Sequence, residues 1–168
     1  TLLKKSQFIF WAKITLDIYQ QQKKRAQETI PIDYSVYNPK DTNFEKSFEL
    51  LERVLNDANE KTKNLNSTFL VVTLPTKEQV YPQAWEEIKQ KYPVLLEEKW
   101  NINLPEQKID SICMRLNISC LQLAPLFREK YVQTQQKIFF DKDGHFNELG
   151  HQWTSDEIYK YLNRSKTL

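Results

Sequence analysis

The sequence predicts an α/β protein, the later part of a doubly wound (flavodoxin-like, three-layer α/β/α) parallel sheet. Three observations carry that expectation. The run Thr68-Phe69-Leu70-Val71-Val72-Thr73-Leu74 is continuously apolar and rich in β-branched residues, as suits a parallel strand covered on both faces. Segments follow one another as helix, strand, helix, strand, loop, helix, an order that belongs to α/β architecture. Only two strands are convincing, at 68–74 and 119–123, and a covered parallel sheet needs more. Residues 1–168 therefore read as a single unit, the C-terminal part of a larger domain.

Each element has its own reason. Residues 1 to about 25 carry Leu2, Leu3, Phe8, Ile9, Ala12, Leu16 and Tyr19 at spacings of three and four, which predicts a helix. Pro31, Pro39 and many polar groups make 28–43 an irregular connection. Over about 44–63, Phe44, Phe48, Leu51, Leu55 and Ala58 form one apolar stripe of an amphipathic helix. The strand at 68–74 is stopped by Pro75; residues 76–81 read as a loop, and 82–91 as a helix. Ile109, Ile112, Cys113 and Leu116 predict a helix at about 105–116, and Ser119-Cys120-Leu121-Gln122-Leu123 a short strand. The last helix runs from about Asn147 to Asn163 with Leu149, Trp153, Ile158, Tyr161 and Leu162 apolar.

Composition narrows the function classes. A chain of 168 residues with 40% hydrophobic and 27% charged side chains can bury a core. Its 24 basic and 22 acidic groups are scattered, for a net charge of +2, which leaves no footprint for nucleic acid or an anionic membrane. No apolar run approaches the roughly 18 residues that span a bilayer. Cys113 and Cys120 read as two buried thiols, with a disulfide left open, and no Cys/His cluster suggests zinc or any other metal. No cofactor motif is present. Only two glycines occur, Gly144 and Gly150, so the glycine-rich turns that an α/β enzyme places beside substrate are expected outside this chain.

Both histidines fall in one segment, Asp143-Gly144-His145-Phe146-Asn147-Glu148-Leu149-Gly150-His151. Histidine exchanges a proton near neutral pH, and a carboxylate on Nδ1–H fixes its tautomer and stabilises the imidazolium. Asp143 and His145 lie two apart around Gly144, so a turn in which the glycine adopts a conformation denied to other residues could fold the carboxylate onto the ring. Asn147 suits a helix N-cap. His151 reads as a packing residue in the first helical turn. Lys77 and Tyr81 follow the clear strand, at the carboxyl end where α/β sheets bind ligands, and are candidate substrate-binding residues. Trp11, Trp85, Trp100 and Trp153 read as packing residues.

The string Phe139-Phe140-x-x-Asp143-Gly144-His145-Phe146-Asn147-x-x-Gly150-His151 resembles the terminal block of the SGNH (GDSL-type) hydrolase family. Residues 70–81 are similar to a strand and loop of its polysaccharide O-acetyltransferase-related branch. Residues 116–128 are similar to the segment before the Asp/His block, and Leu2-Leu3-Lys4-Lys5-Ser6 to the region after the oxyanion-hole loops. The likeness covers most of the chain and is specific only at 143–151. It implies a serine esterase or acyl-transfer enzyme acting on an ester or acylated carbohydrate, with His145 as base and Asp143 as its orienter. It also implies an extracytoplasmic location.

The chain departs from the family pattern in two respects. Where many relatives place the acid three residues before the histidine, this chain has Lys142, so the acid is Asp143 or, less well placed, Asp141. The Gly-Asp-Ser nucleophile turn, the oxyanion glycine and the Gly-x-Asn loop are absent, and no serine has a glycine beside it. The nucleophile is therefore expected on a preceding segment of the same protein, which would also complete the sheet. Without it the chain would be nearly inert, since a single missing oxyanion donor costs about 10²–10³ in rate. The alternative is a catalytically inactive SGNH-like binding or scaffold module.

Overall fold

A computed structural model of the chain describes residues 11, 13–19, 32–92, 94–97 and 100–165. Two compact units divide it, Thr1–Ser35 and Val36–Leu168. In the first, residues 13–19 are helical, with Leu16, Ile18 and Tyr19 exposed; Trp11, expected to pack, is exposed too. The rest of the helix expected over 1–25 lies outside the described residues. A 3-10 helix covers Ile32–Tyr37 within the stretch expected to be irregular.

The second unit begins with helix α1 (Thr42–Asn64). Asp41 caps it, one carboxylate oxygen accepting the backbone N–H of Asn43 at 2.9 Å, which starts the helix slightly ahead of its apolar stripe. Strand β1 (Leu70–Thr73) follows. Where a loop was expected, α2 (Lys77–Val80) makes one helical turn. Its start is fixed by the Gln79 side-chain oxygen, which accepts the backbone N–H of Thr76 at 2.9 Å. That bond is half of a capping box, and its signature, Thr-x-x-Gln, is present in the sequence. Helix α3 (Pro82–Lys91) opens on proline, whose missing N–H is no loss at a first helical position. A single turn, α4 (Val94–Glu97), leads to α5 (Leu104–Leu116), which Asn117 ends in the left-handed conformation at φ 51°.

Strand β2 (Ser119–Gln122) runs straight into α6 (Leu123–Thr134), and α7 (Glu148–Ser165) is the last described helix. Sequence patterning did not anticipate α6. Leu123 reads as the end of a strand, and the stretch from there to the last helix as a loop. In fact Pro125 occupies the first turn, where no intrahelical donor is required, while Leu123, Ala124 and Phe127 face inward and are buried.

β1 and β2 pair in parallel, Leu70 opposite Ser119 through Thr73 opposite Gln122. Side chains alternate between the faces of the pair. On one face Cys120 is disulfide-bonded to Cys113 of α5, with Cα atoms 6.3 Å apart, so the two cysteines are not the free thiols expected. α1 lies alongside α5. Glu45 pairs with Lys108 at 2.6 Å and Glu52 with Arg115 at 2.7 Å, seven residues on along both helices, so the two run in the same direction. On the other face, Leu70, Val72 and Leu121 join a core of Val80, Tyr81, Leu123, Phe127, Ile138, Phe139 and Trp153. Trp85 packs edge-on against Tyr37. The architecture is thus α/β: a largely helical unit built around a two-stranded parallel sheet with helices on both faces.

Neither strand has a second strand partner among the described residues. All four β1 residues are only half-buried, although the run is apolar enough for a covered interior strand. No helix among the described residues is long and apolar enough to cross a membrane.

Candidate functional site

The Asp143–His145 turn hangs from a short antiparallel ladder. Phe139 bridges Phe146, the Phe140 N–H donates to the His145 carbonyl at 3.0 Å, and the Asn147 N–H to the Ile138 carbonyl at 3.0 Å. The base of this ladder is tied to the core. The Tyr81 hydroxyl accepts the N–H groups of Ile138 and Phe139, and the rings of Phe139 and Phe146 sit 4.9 Å apart. Burial pushes the Tyr81 hydroxyl above its ordinary value, against the smaller opposing effect of those two N–H donors.

Asn147 caps α7 as its sequence position predicts, its side-chain oxygen accepting the Gly150 N–H at 3.0 Å. Its amide also donates to the Lys137 carbonyl at 3.0 Å, tying the helix start to the entry of the ladder. Gly150 is required by close approach, since a Cβ there would meet the Ile138 carbonyl and the Phe146 side chain. Gly144 is different. Its φ is not positive and open space surrounds it, so the special conformation expected of it is absent. The turn is set instead by the Asp143 side chain, which folds back on the backbone.

One Asp143 carboxylate oxygen accepts the His145 backbone N–H at 2.9 Å and lies 3.4 Å from His145 Nδ1. The second distance is longer than a formed N–H···O bond, which centres near 2.9–3.0 Å. The carboxylate is therefore beside the correct ring nitrogen but is committed first to the backbone. The His145 side chain is 86% exposed and that of Asp143 55%. His151 sits in the first turn of α7, exposed, with its ring perpendicular to that of Phe146 at 6.1 Å.

This turn lies beside the loop that leaves the carboxyl end of β1. The Lys77 ammonium donates to the Asp141 carbonyl at 3.2 Å and links the two segments. Between them runs an open groove of about 440 Å³, walled by residues 75–78 on one side and 141–144 on the other. A second cleft of about 440 Å³ shares Lys77 and Asp141 with it and is floored by Tyr81, Tyr131 and Phe139. Lys77 and Tyr81 thus both line a cleft. His145 lines neither of these two clefts. Leu74 (62% exposed) and Phe140 (53%) leave apolar surface at this end of the sheet.

Sequence reasoning did not single out Tyr131 and Lys137 as lining residues. Tyr131 rides on the unanticipated helix α6, and Lys137 reads as one exposed lysine among many. A buried polar cluster beneath α2 was missed as well. The Gln79 amide donates to a Glu106 carboxylate oxygen and to the Ile102 carbonyl (3.2 Å), while Arg128 donates to the Gln79 carbonyl (2.7 Å) and to Asn103 (2.8 Å). The other Glu106 oxygen and Thr73 Oγ1 are buried with no hydrogen-bond partner among the described residues. Burial raises the Glu106 pKa, opposed by smaller contributions from the backbone, Gln79 and Arg128. Among the described residues no group of three or more His, Cys, Asp or Glu could hold a metal ion. Compared with known proteins, the chain matches no family model, no curated protein and no solved structure.

Proposed function

We propose that these residues are the C-terminal part of an SGNH-type serine esterase or O-acyltransferase, with His145 the general base and Asp143 its orienter. The observation that carries this reading is the Lys77–Asp141 link, which sets the Asp143–His145 turn beside the carboxyl end of the parallel pair. Open α/β sheets bind ligands at that end. In the proposed reaction a serine Oγ attacks an ester carbonyl and passes its proton to His145 Nε2. The departing alcohol takes that proton, leaving an acyl-serine. Water or a sugar hydroxyl then attacks the acyl carbon, again losing its proton to Nε2, and the serine leaves with that proton restored. The carboxylate of Asp143 holds Nδ1–H and stabilises the imidazolium in both halves.

The serine and the oxyanion donors would come from a preceding segment, which would also add strands to the pair and make a doubly wound, flavodoxin-like sheet. Three features support such a segment. β1 is half-buried throughout, Thr73 Oγ1 at its end is buried with no hydrogen-bond partner among the described residues, and Leu74 and Phe140 present apolar surface beside the turn. The disulfide between Cys113 and Cys120 favours an oxidising, extracytoplasmic compartment.

A second reading, an inactive binding or scaffold module, is favoured by one observation: the His145 ring is 86% exposed and lines neither of the two clefts beside it. The test is a longer form of the protein that includes the segment preceding Thr1, treated with a fluorophosphonate probe. Labelling of one serine in that segment, with hydrolysis of p-nitrophenyl acetate that the probe blocks, is the expected result. A folded long form with neither labelling nor hydrolysis favours the scaffold reading.

A further inference from the structure

The carboxyl group of Asp143 sits next to a backbone nitrogen that can react with it. The nitrogen of the residue after an aspartate can attack the side-chain Cγ and close a five-membered imide. A Cβ on that next residue hinders the attack, and glycine has none. The chain holds two glycines, and Gly150 follows Leu149, so Asp143-Gly144 is its one bond between Asp or Asn and glycine. The structure leaves this bond open to reaction. The Asp143 side chain is 55% exposed, and a Cβ built on Gly144 would meet nothing within 4 Å, so the turn has room to move. Gly144 also lines the open groove beside residues 75–78, where water reaches it. Among the described residues the Gly144 N–H donates to no backbone carbonyl. The side chain is already folded back. Its oxygen accepts the His145 N–H at 2.9 Å, closing a ring of atoms that runs through the Gly144 nitrogen and turns Cγ toward the main chain.

We propose that Asp143-Gly144 is a site of spontaneous covalent modification, at which the aspartate isomerises to β-linked isoaspartate through a cyclic imide. The Gly144 nitrogen forms a bond to Cγ of the protonated carboxyl group. The amide proton and the carboxyl hydroxyl leave together as water. A second water then adds to the former main-chain carbonyl of Asp143, the bond from that carbon to nitrogen breaks, and the added oxygen stays as the new carboxyl group. The main chain now runs through Cβ and Cγ, one methylene longer, and the carboxylate is borne directly on Cα. It therefore leaves its place beside the His145 N–H and Nδ1. Asp141 is the internal contrast. Its side chain is 81% exposed, but Lys142 follows it and brings a Cβ to the attacking nitrogen. The modification needs only water and stands whether or not His145 is a base. One consequence rests on the acyl-transfer reading: a longer, active form would lose its orienter, and with it turnover, in step with the isoaspartyl fraction.

The experiment incubates the full, folded chain for several weeks at physiological temperature and neutral pH, beside the same chain unfolded in urea. Peptide mapping by electron-transfer mass spectrometry then locates isoaspartate, and labelling with an isoaspartyl carboxyl methyltransferase measures its amount. In the folded chain isoaspartate should accumulate at position 143, preceded by a species lighter by one water, while Asp141 stays normally linked. Gly144→Ala meets no clash and needs no positive φ, so it keeps the fold and should slow the conversion severalfold. Three results would overturn the proposal: isoaspartate at 143 in the unfolded chain but not in the folded one, equal conversion in wild type and Gly144→Ala, or as much isoaspartate at 141 as at 143. None of these measurements reads ester hydrolysis, so the two readings fail separately.

Discussion

The Tyr81 hydroxyl accepts the backbone N–H of Ile138 at 2.6 Å, and that of Phe139 at 3.3 Å, joining the end of α2 to the strand-like segment that leads into the Asp143–His145 turn. Ile138 is fully buried, so no water replaces the hydroxyl if it is removed. Tyr81→Phe should keep the ring packed against Tyr131 and Phe139 but orphan a buried donor. The expected cost is about 1–3 kcal/mol in urea unfolding, with hydrogen exchange at Ile138 and Phe139 accelerated. A variant as stable as wild type would mean that the hydroxyl contributes nothing to the placement of the turn.

Glu106 makes a pH prediction. Its folded-state pKa is raised by burial, and Gln79 and Arg128 only partly offset this. A carboxyl whose folded pKa exceeds its unfolded value binds more protons folded than unfolded between the two. Stability from this group is therefore greatest below the ordinary value of 4.5 and falls as pH rises through the raised value. Glu106→Gln keeps an oxygen for the Gln79 amide and removes the titration. The stability of the variant relative to wild type should increase from pH 4 to pH 7, read as urea midpoints at both. A constant difference would show that Glu106 is not desolvated in solution.

The two glycines should respond in opposite ways. Gly150→Ala drives a Cβ into the Ile138 carbonyl and to 2.9 Å from Phe146 carbon atoms, and should cost about 1–3 kcal/mol as overpacking. Gly144→Ala meets nothing within 4 Å and needs no positive φ, so its effect should stay within about 0.5 kcal/mol. Thermal unfolding of both variants separates them. Equal destabilisation would show that the turn requires glycine at both positions.

Local chemistry made much of this legible. Helix α3 is bounded by Pro82, α1 by its apolar stripe, and α7 by the Asn147 cap, and each lies where the residues put it. What escaped was decided by tertiary context. Pro125 hides α6 because its harmless first-turn position is apparent only once Leu123 is known to be helical and buried. The pairing of Cys113 with Cys120 depends on β2 lying against α5, and a seven-residue spacing does not encode that packing. At the site, the proximity of Asp143 to His145 follows from their separation of two. The Lys77–Asp141 contact spans 64 residues and needed the fold.

The sharpest functional comparison lies between His145 and His151, six residues apart on opposite sides of the Asn147 cap. In a longer form of the protein that hydrolyses an activated ester, His145→Ala should abolish turnover while the fold persists, because a ring that is 86% exposed contributes little to packing. His151→Ala removes an edge contact to Phe146 and should shift stability by less than about 1 kcal/mol with turnover retained. Asp143→Asn separates orientation from backbone capping. The amide oxygen can still accept the His145 N–H and so preserve the turn, yet it cannot stabilise an imidazolium, and in its other rotamer it favours the wrong tautomer. Turnover should therefore fall by several orders of magnitude in Asp143→Asn with unfolding unchanged. A dead His151→Ala beside an active His145→Ala would move the base six residues along the same block, from the turn into the last helix. Full activity in all three would leave these residues no part in the chemistry.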